Sequence, residues 1–266
     1  MCCRRNFFGV LFLSGYIMPS IIEVKNLTVS FGPQKILDDI SFQVQQGEVF
    51  VILGGSGCGK STLMKHMIGL LKPAAGSILI EGMDIVTAED ENRDEILRKF
   101  GVMYQQGALF GSMNLLENVS LPLREFTDLS DHAIHLISLM KLKLVGLENF
   151  SMHMPSEISG GMKKRAAIAR AMALDPKILF LDEPSAGLDP VTSAELDQLI
   201  IRLSRMAGIT FIVVTHELPS IYTIADRVIM LDKRVRKIIA EGKPDVIRDT
   251  TEDKWVRQFF LREAGV

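Results

Sequence analysis

Glu48-Val49-Phe50-Val51-Ile52-Leu53-Gly54 runs without a break into Gly55-Ser56-Gly57-Cys58-Gly59-Lys60-Ser61-Thr62. The first half is a short apolar run ended by glycine, which predicts a strand buried on both faces. Residues 60–71 then carry a helical pattern that stops near Pro73. Strand, glycine loop and helix in that order are what a phosphate cradle requires, and the residues fit G-x-x-x-x-G-K-[ST]. The glycines let backbone N–H groups wrap phosphate oxygens, while the helix N-terminus adds about half a positive charge. Gly54, Gly55, Ser56, Gly57, Cys58, Gly59 and Thr62 form the candidate cradle, with Lys60 reaching the β- and γ-phosphates of a nucleotide and Ser61 ligating Mg2+. Alone, this motif specifies a P-loop NTPase and nothing narrower.

Ile178-Leu179-Phe180-Leu181-Asp182-Glu183 is four apolar residues followed by two acids. In a parallel sheet such a strand delivers both carboxylates to its C-terminal edge, where ligands bind. Consecutive strand residues point to opposite sides, so Asp182 can serve a Mg2+ shell while Glu183 serves a water. In-line attack on a γ-phosphate needs a positioned water, and Glu183 suits the part of general base or orienting group.

With 266 residues, 47% of them hydrophobic, the chain buries a sizeable core in one large domain, or one domain with a lobed insertion, and disorder is excluded as its class. Charged side chains nearly cancel to a formal −2, so nothing in the total balance calls for nucleic acid or an anionic membrane surface. Three cysteines, two of them adjacent at Cys2 and Cys3, build no disulfide framework, which points to a reducing compartment. Cys58 lies beside a helix N-terminus, where a thiol pKa can fall; simple tolerance is the first expectation and redox control the second. Arg4 and Arg5 precede an apolar run over residues 7–18, too short for the ~20 apolar residues of a membrane-spanning helix. A secretory leader would carry the domain away from its nucleotide. We expect Met18 to be the true start and residues 1–19 to be an untranslated extension, with a membrane-peripheral anchor as the alternative.

Short β-like runs at 21–24, 27–31 and 40–44, separated by Gly32-Pro33 and Asp38-Asp39, predict a small antiparallel sheet. A strand pair around 76–82, a charged helix over 89–100 and a strand over 101–105 follow. Residues 114–174 hold only helical patterns, with Asp128 or Ser130 as N-cap of a helix over 133–147, which marks an inserted helical subdomain, taken as about 106–174. Strands at 178–181 and 210–215 joined by a helix over 191–206 make a βαβ crossover and hence a parallel sheet. A hairpin near 227–241 and two short helices over about 243–266 complete the chain. The tail places Trp255 with Phe259 and Val256 with Phe260 at i, i+4, for packing on its own domain or against a partner subunit.

Ile158-Ser159-Gly160-Gly161-Met162-Lys163-Lys164-Arg165 opens a further helix, running to residue 173, whose start again offers anion-binding amides, without a phosphate lysine after the glycines. With this motif the chain resembles the ABC ATPase family, matching its LSGGQ sequence with Ile158 for Leu and Met162 for Gln. The resemblance spans residues 21–266. It implies an α/β fold: a P-loop, RecA-like, mostly parallel sheet with an N-terminal antiparallel β subdomain and the inserted helical subdomain, residues 20–266 forming one ABC ATPase domain. It implies ATP and Mg2+ as cofactors and a second copy as head-to-tail partner, so that Ser159, Gly160, Gly161 and Met162 of one copy face the γ-phosphate held by Lys60 of the other. It further implies that Phe31 stacks on adenine, that Gln105 contacts Mg2+ and the attacking water, that Asp189 in Ser185-Ala186-Gly187-Leu188-Asp189 lies at the dimer interface, and that His216 is the switch histidine reaching the γ-phosphate. Tyr is commoner than Phe at the adenine position, and Gln106 beside Gln105 leaves a one-residue ambiguity.

Tyr104-Gln105-Gln106-Gly107-Ala108-Leu109-Phe110, Leu121-Pro122-Leu123-Arg124-Glu125, the Met162 variant and Trp255-Val256-Arg257-Gln258-Phe259 are similar to the ATPase of Mla-type phospholipid transporters. That implies transmembrane permease subunits, an MCE (mammalian cell entry) domain protein, a small STAS-domain regulator and a place at the cytoplasmic face of the inner membrane. An amino-acid or other small-solute importer ATPase shares the core motifs and stands as the alternative. A soluble ABC ATPase acting on DNA, ribosomes or iron–sulfur assembly is a third reading, opposed by the single cassette and the lack of a basic balance.

Overall fold

The structure, a computed structural model, describes residues 20–262. The expectations about a start at Met18 and an extension over residues 1–19 lie outside the described residues. Two long strands, β1 (Ser20–Phe31) and β2 (Gln34–Gln45), fold back on one another across Gly32-Pro33. Strand β3 (Val49–Gly54), helix α1 (Lys60–Met67), strands β4 (Ala75–Ile80) and β5 (Met83–Asp84), helix α2 (Asp90–Arg98) and strand β6 (Phe100–Met103) follow. The helical subdomain holds α3 (Leu115–Phe126), α4 (Asp131–Leu144) and α5 (Gly160–Ala171). Then come β7 (Ile178–Asp182), α6 (Pro190–Ala207), β8 (Thr210–Val214), α7 (Leu218–Ile224), β9 (Arg227–Asp232), β10 (Lys237–Gly242), α8 (Pro244–Thr250) and α9 (Lys254–Leu261).

The strands form two sheets. One is antiparallel in the order β2-β1-β4-β5; the other runs β10-β9-β3-β8-β7-β6 and is parallel except for its edge strand β10. Every residue of β3 is buried because both faces of its sheet are covered. Val49, Val51 and Leu53 face the core shared with α3, α5, α6 and α9, whereas Phe50 and Ile52 face the core shared with α1 and the antiparallel sheet. Arg227 clamps the two sheets: its guanidinium donates to Glu48 Oε1 at 2.7 Å and to the Gln43 carbonyl at 2.5 Å, and lies over the Phe50 ring.

The two runs at 21–24 and 27–31 are one strand. Asn26 sits at φ 49°, bulging β1 between Val24 and Leu27, and its side chain donates to Asp39 Oδ1 at 2.9 Å. Asp39, expected in a turn, is itself a left-handed residue inside β2. Helix α1 stops at Met67 rather than near residue 71 because the chain turns at Ile68 and Gly69, whose N–H groups bond back to Met64 and His66 carbonyls. Ser130, not Asp128, caps α4, with Oγ accepting from Ala133 N at 3.3 Å. The tail packs on its own domain: Val256 and Phe260 are buried, and Phe260 lies beside the Tyr222 ring. Among the described residues, no helix is long and apolar enough to cross a membrane.

Candidate functional site

Sheet register places the site. Asp182 at the end of β7 pairs with Val214 of β8, and Val214 pairs with Ile52 of β3, so the two motifs come out of the sheet at one edge with β8 between them. Gly54 has φ 144°, and a Cβ there would sit 2.5 Å from the Leu231 carbonyl oxygen and from Cys58 Sγ, so only glycine turns the chain here. The loop wraps so tightly that Lys60 Nζ donates to the Gly54 carbonyl at 2.9 Å and the Gly55 carbonyl at 3.3 Å, across the mouth of the cradle. A Cβ on Gly59 would lie 3.1 Å from the Ile36 and Leu37 side chains, which brings the β1–β2 hairpin, with half-exposed Phe31 at its tip, alongside the loop. Behind the loop the Trp255 ring lies against Gly55 and under the Arg234 guanidinium.

Ser61 Oγ donates to Asp182 Oδ1 at 3.3 Å. Burial pushes the Asp182 carboxyl above its ordinary range and the Glu183 charge adds to this, while Ser61, Lys65 and Lys60 pull the other way. A hydroxyl and a carboxylate already in contact, the carboxylate without a cationic partner in direct contact among the described residues, are a donor set that fits a divalent cation such as Mg2+. Glu183 leaves the strand: its φ is 47°, its N–H donates to the Val214 carbonyl at 2.8 Å, and its side chain is only 12% exposed. Oε1 is 2.9 Å from His216 Nδ1, whereas Oε2 is buried without a hydrogen-bond partner among the described residues. Asp182 meets Ser61 and Glu183 meets His216, with the backbone turning left-handed at Glu183.

Ser159 and Gly160 are exposed at the start of α5, and Ser159 Oγ accepts from Met162 N at 3.3 Å. Gly161 is buried: a Cβ there would meet Thr192 Cγ2 at 2.3 Å, so its lack of a side chain lets α5 pack against the first turn of α6. The Met162 side chain packs on the core. Asp189 caps α6, its Oδ1 accepting from Val191 and Thr192 N–H at 3.0 Å and its Oδ2 from the Thr192 hydroxyl. The start of α5 makes no hydrogen bond to the Gly54–Lys60 loop among the described residues.

A family model described as "ABC transporter" matches residues 37–186. The chain belongs to the ABC transporter ATP-binding family. At 47% identity, over 90% of this chain and 68% of the relative, it is similar to the probable ribonucleotide transport ATP-binding protein mkl of Mycobacterium leprae. At 41% identity, over 92% of each chain, it is similar to the intermembrane phospholipid transport system ATP-binding protein MlaF of Haemophilus influenzae; the Escherichia coli K12 MlaF is 39% identical over 91% of this chain and 88% of its own. Among solved structures, the cassette MJ0796 in a dimeric post-hydrolysis state bound to ADP and Pi superposes with a TM-score of 0.75 at 33% identity, covering 84% of this chain and 98% of that one. The cbiO1 cassette of Clostridium perfringens gives 0.80 at 30%, covering 92% and 96%.

In this ABC ATPase the loop after β6 is held by residues the sequence did not single out. Arg170 donates to the Ala108 and Gly107 carbonyls at 2.7 and 2.9 Å, and Asn118, fully buried, donates to the Phe110, Met113 and Asn114 carbonyls while accepting from Phe110 N. Gln105 and Gln106 are both exposed; the Gln105 carbonyl is tied down by Lys164, whose Nζ also reaches the Glu183 carbonyl at 3.3 Å. The signal that could have found Lys164 is a lysine sharing a helix face with Ala167 and Ile168, both buried. The Cys58 thiol is buried under the loop, and burial pushes its pKa up rather than down as a helix N-terminus alone would, which favours the expected tolerance over redox control.

Asp197 on α6 is also buried, and burial pushes its carboxyl up to about 6 from the ordinary 3.8. The folded state therefore holds this proton more tightly than the unfolded chain, so stability falls as pH rises from about 4 to about 6 and stays lowered above that. Asp197→Asn is expected to gain about 3 kcal/mol at pH 7.5 and little at pH 4, measured by denaturant titration at both pH values.

Proposed function

We propose that this ABC ATPase powers phospholipid movement between membranes of the cell envelope, as a head-to-tail dimer at the cytoplasmic face of the inner membrane beneath permease subunits of an Mla-type system. An MCE-domain protein and a STAS-domain regulator complete the proposed assembly. The observation that carries the hydrolytic part is Glu183: one oxygen engaged by His216, the other buried and unpaired beside the Ser61–Asp182 pair. The unpaired oxygen would accept a hydrogen bond from the attacking water and take its proton, and His216, more than half exposed, would hold Glu183 in place and reach the γ-phosphate oxygens. Lys60, released from the Gly54 and Gly55 carbonyls, would exchange them for β- and γ-phosphate oxygens. Ser61 and Asp182 would hold Mg2+, with Gln105 as a further ligand, and the ion would neutralise the phosphate charge. Phe31 at the hairpin tip would stack on adenine. Ser159, Gly160, Gly161 and Met162, at the α5 N-terminus of the second copy, would close over the γ-phosphate, with Asp189 at the seam.

Phospholipid as cargo is supported by the MlaF relatives, which match along nearly their whole length. The more identical mycobacterial relatives are named for ribonucleotide transport, and that is the second reading. Reconstituting the full chain with its permease partners, and following fluorescent phospholipid and radiolabelled ribonucleotide in parallel, separates the two. ATP-dependent lipid transfer with no nucleotide uptake is expected; nucleotide uptake without lipid transfer would overturn the cargo assignment.

A further inference from the structure

Lys164 lies one turn into α5, yet only 7% of it is exposed, while its neighbours Lys163 and Arg165 are partly exposed. Placing an ammonium in the interior costs several kcal/mol unless its donors are used, so a residue that merely filled this space would be apolar. Among the described residues its Nζ makes no carboxylate contact. It donates instead to two backbone carbonyls that are far apart in sequence, those of Gln105 and Glu183. The first belongs to the loop entering the helical subdomain. The second belongs to the residue held at φ 47°, where a non-glycine backbone needs support from its surroundings. The Glu183 and Asp182 charges act on the ammonium through space and oppose the loss of its proton that burial favours.

We infer that Lys164 is a positioning residue for hydrolysis: one ammonium ties the Gln105 loop to the Glu183 backbone, so that the glutamate's carboxylate is aimed correctly only when the helix carrying Ser159 is seated. Three parts read separately in the sequence thereby share one joint. The start of α5 faces the other copy, the Gln105 loop leads to the helical subdomain, and Glu183 handles the water. Docking of the α5 helix end onto a partner's nucleotide would pull on Lys164 and so on both carbonyls. This rests on the proposed roles of Glu183 and Gln105. It goes beyond them in assigning alignment to a side chain whose two hydrogen bonds both go to backbone carbonyls.

The test measures ATP turnover and nucleotide binding on the full chain assembled with its permease partners, for Lys164→Met, Lys164→Gln and Lys164→Arg beside Glu183→Gln. Misplaced Glu183 with an intact cradle lowers kcat and leaves binding alone. Lys164→Met and Lys164→Gln are expected to lower kcat by at least about 30-fold with ATP KM within about threefold of the parent, and Lys164→Arg, which keeps the charge and the donors, to recover most of it. A merely structural lysine would instead lower the amount of folded complex and leave kcat per folded molecule unchanged. If Lys164→Met fails to assemble, Lys164→Gln decides, since its amide still donates but carries no charge. Turnover within about threefold of the parent in either neutral variant, while Glu183→Gln is inactive, overturns the inference and leaves the catalytic reading standing; an active Glu183→Gln protein overturns both.

Discussion

Glu183→Gln is expected to reduce steady-state ATP hydrolysis by about 10^2–10^4-fold while leaving nucleotide affinity within about threefold of the parent. The amide keeps the shape of the side chain and a carbonyl that can still meet His216, so the Glu183 loop and the cradle retain their geometry. What is lost is a buried oxygen able to take a proton. Because nothing in the phosphate contacts depends on that oxygen, the variant should accumulate as an ATP-bound dimer. Size-exclusion chromatography with Mg2+ and ATP should show it, alongside a turnover assay. Hydrolysis near the parent rate would contradict the assignment of Glu183.

Lys60→Ala is expected to fail one step earlier. Its ammonium already bridges two carbonyls of the loop, so the truncation removes the charge that meets the β- and γ-phosphates and also unties the loop's two sides. A charge-assisted hydrogen bond contributes about 1.5–3 kcal/mol, which predicts ATP binding weaker by about 10- to 150-fold. Binding measured with a fluorescent ATP analogue should show this loss in Lys60→Ala and not in Glu183→Gln. Equal affinity in the two variants would remove Lys60 from the phosphate site.

The settings of Lys60 and Glu183 differ in how far they were legible in the sequence. The stretch around β3 announced itself, because an apolar run, a glycine loop and a lysine at fixed spacing have one structural meaning, and the strand is buried on both faces as that run requires. The βαβ crossover through α6 and the insertion of α3 to α5 followed from periodicity alone. Features set by backbone conformation were hidden. Nothing in the letters of residues 178–183 says that Glu183 turns left-handed, and Asp39 reads as a turn residue although it lies in a bulge inside a long strand. Features set by tertiary burial were hidden too. Cys58 sits beside a helix N-terminus, which argues for a lowered thiol pKa, but the loop folds over it and desolvation wins. Lys164 and Asn118 look like ordinary polar helix residues until the carbonyls they serve are brought to them by the fold. The tail was legible as amphipathic but not as a buttress, because the contact of Trp255 with Gly55 joins residues two hundred positions apart.

Hydrolysis as proposed needs a shared site: a nucleotide lying in the Gly54–Ser61 loop of one copy must be covered by the α5 helix end of another. A structure of the Glu183→Gln protein with Mg2+ and ATP measures this directly. The account predicts a dimer in which Ser159 Oγ and the first N–H groups of α5 from one copy lie within hydrogen-bonding distance, about 3 Å, of the γ-phosphate oxygens bound by Lys60 of its partner. A nucleotide-bound structure in which that helix end faces solvent in every copy would contradict it.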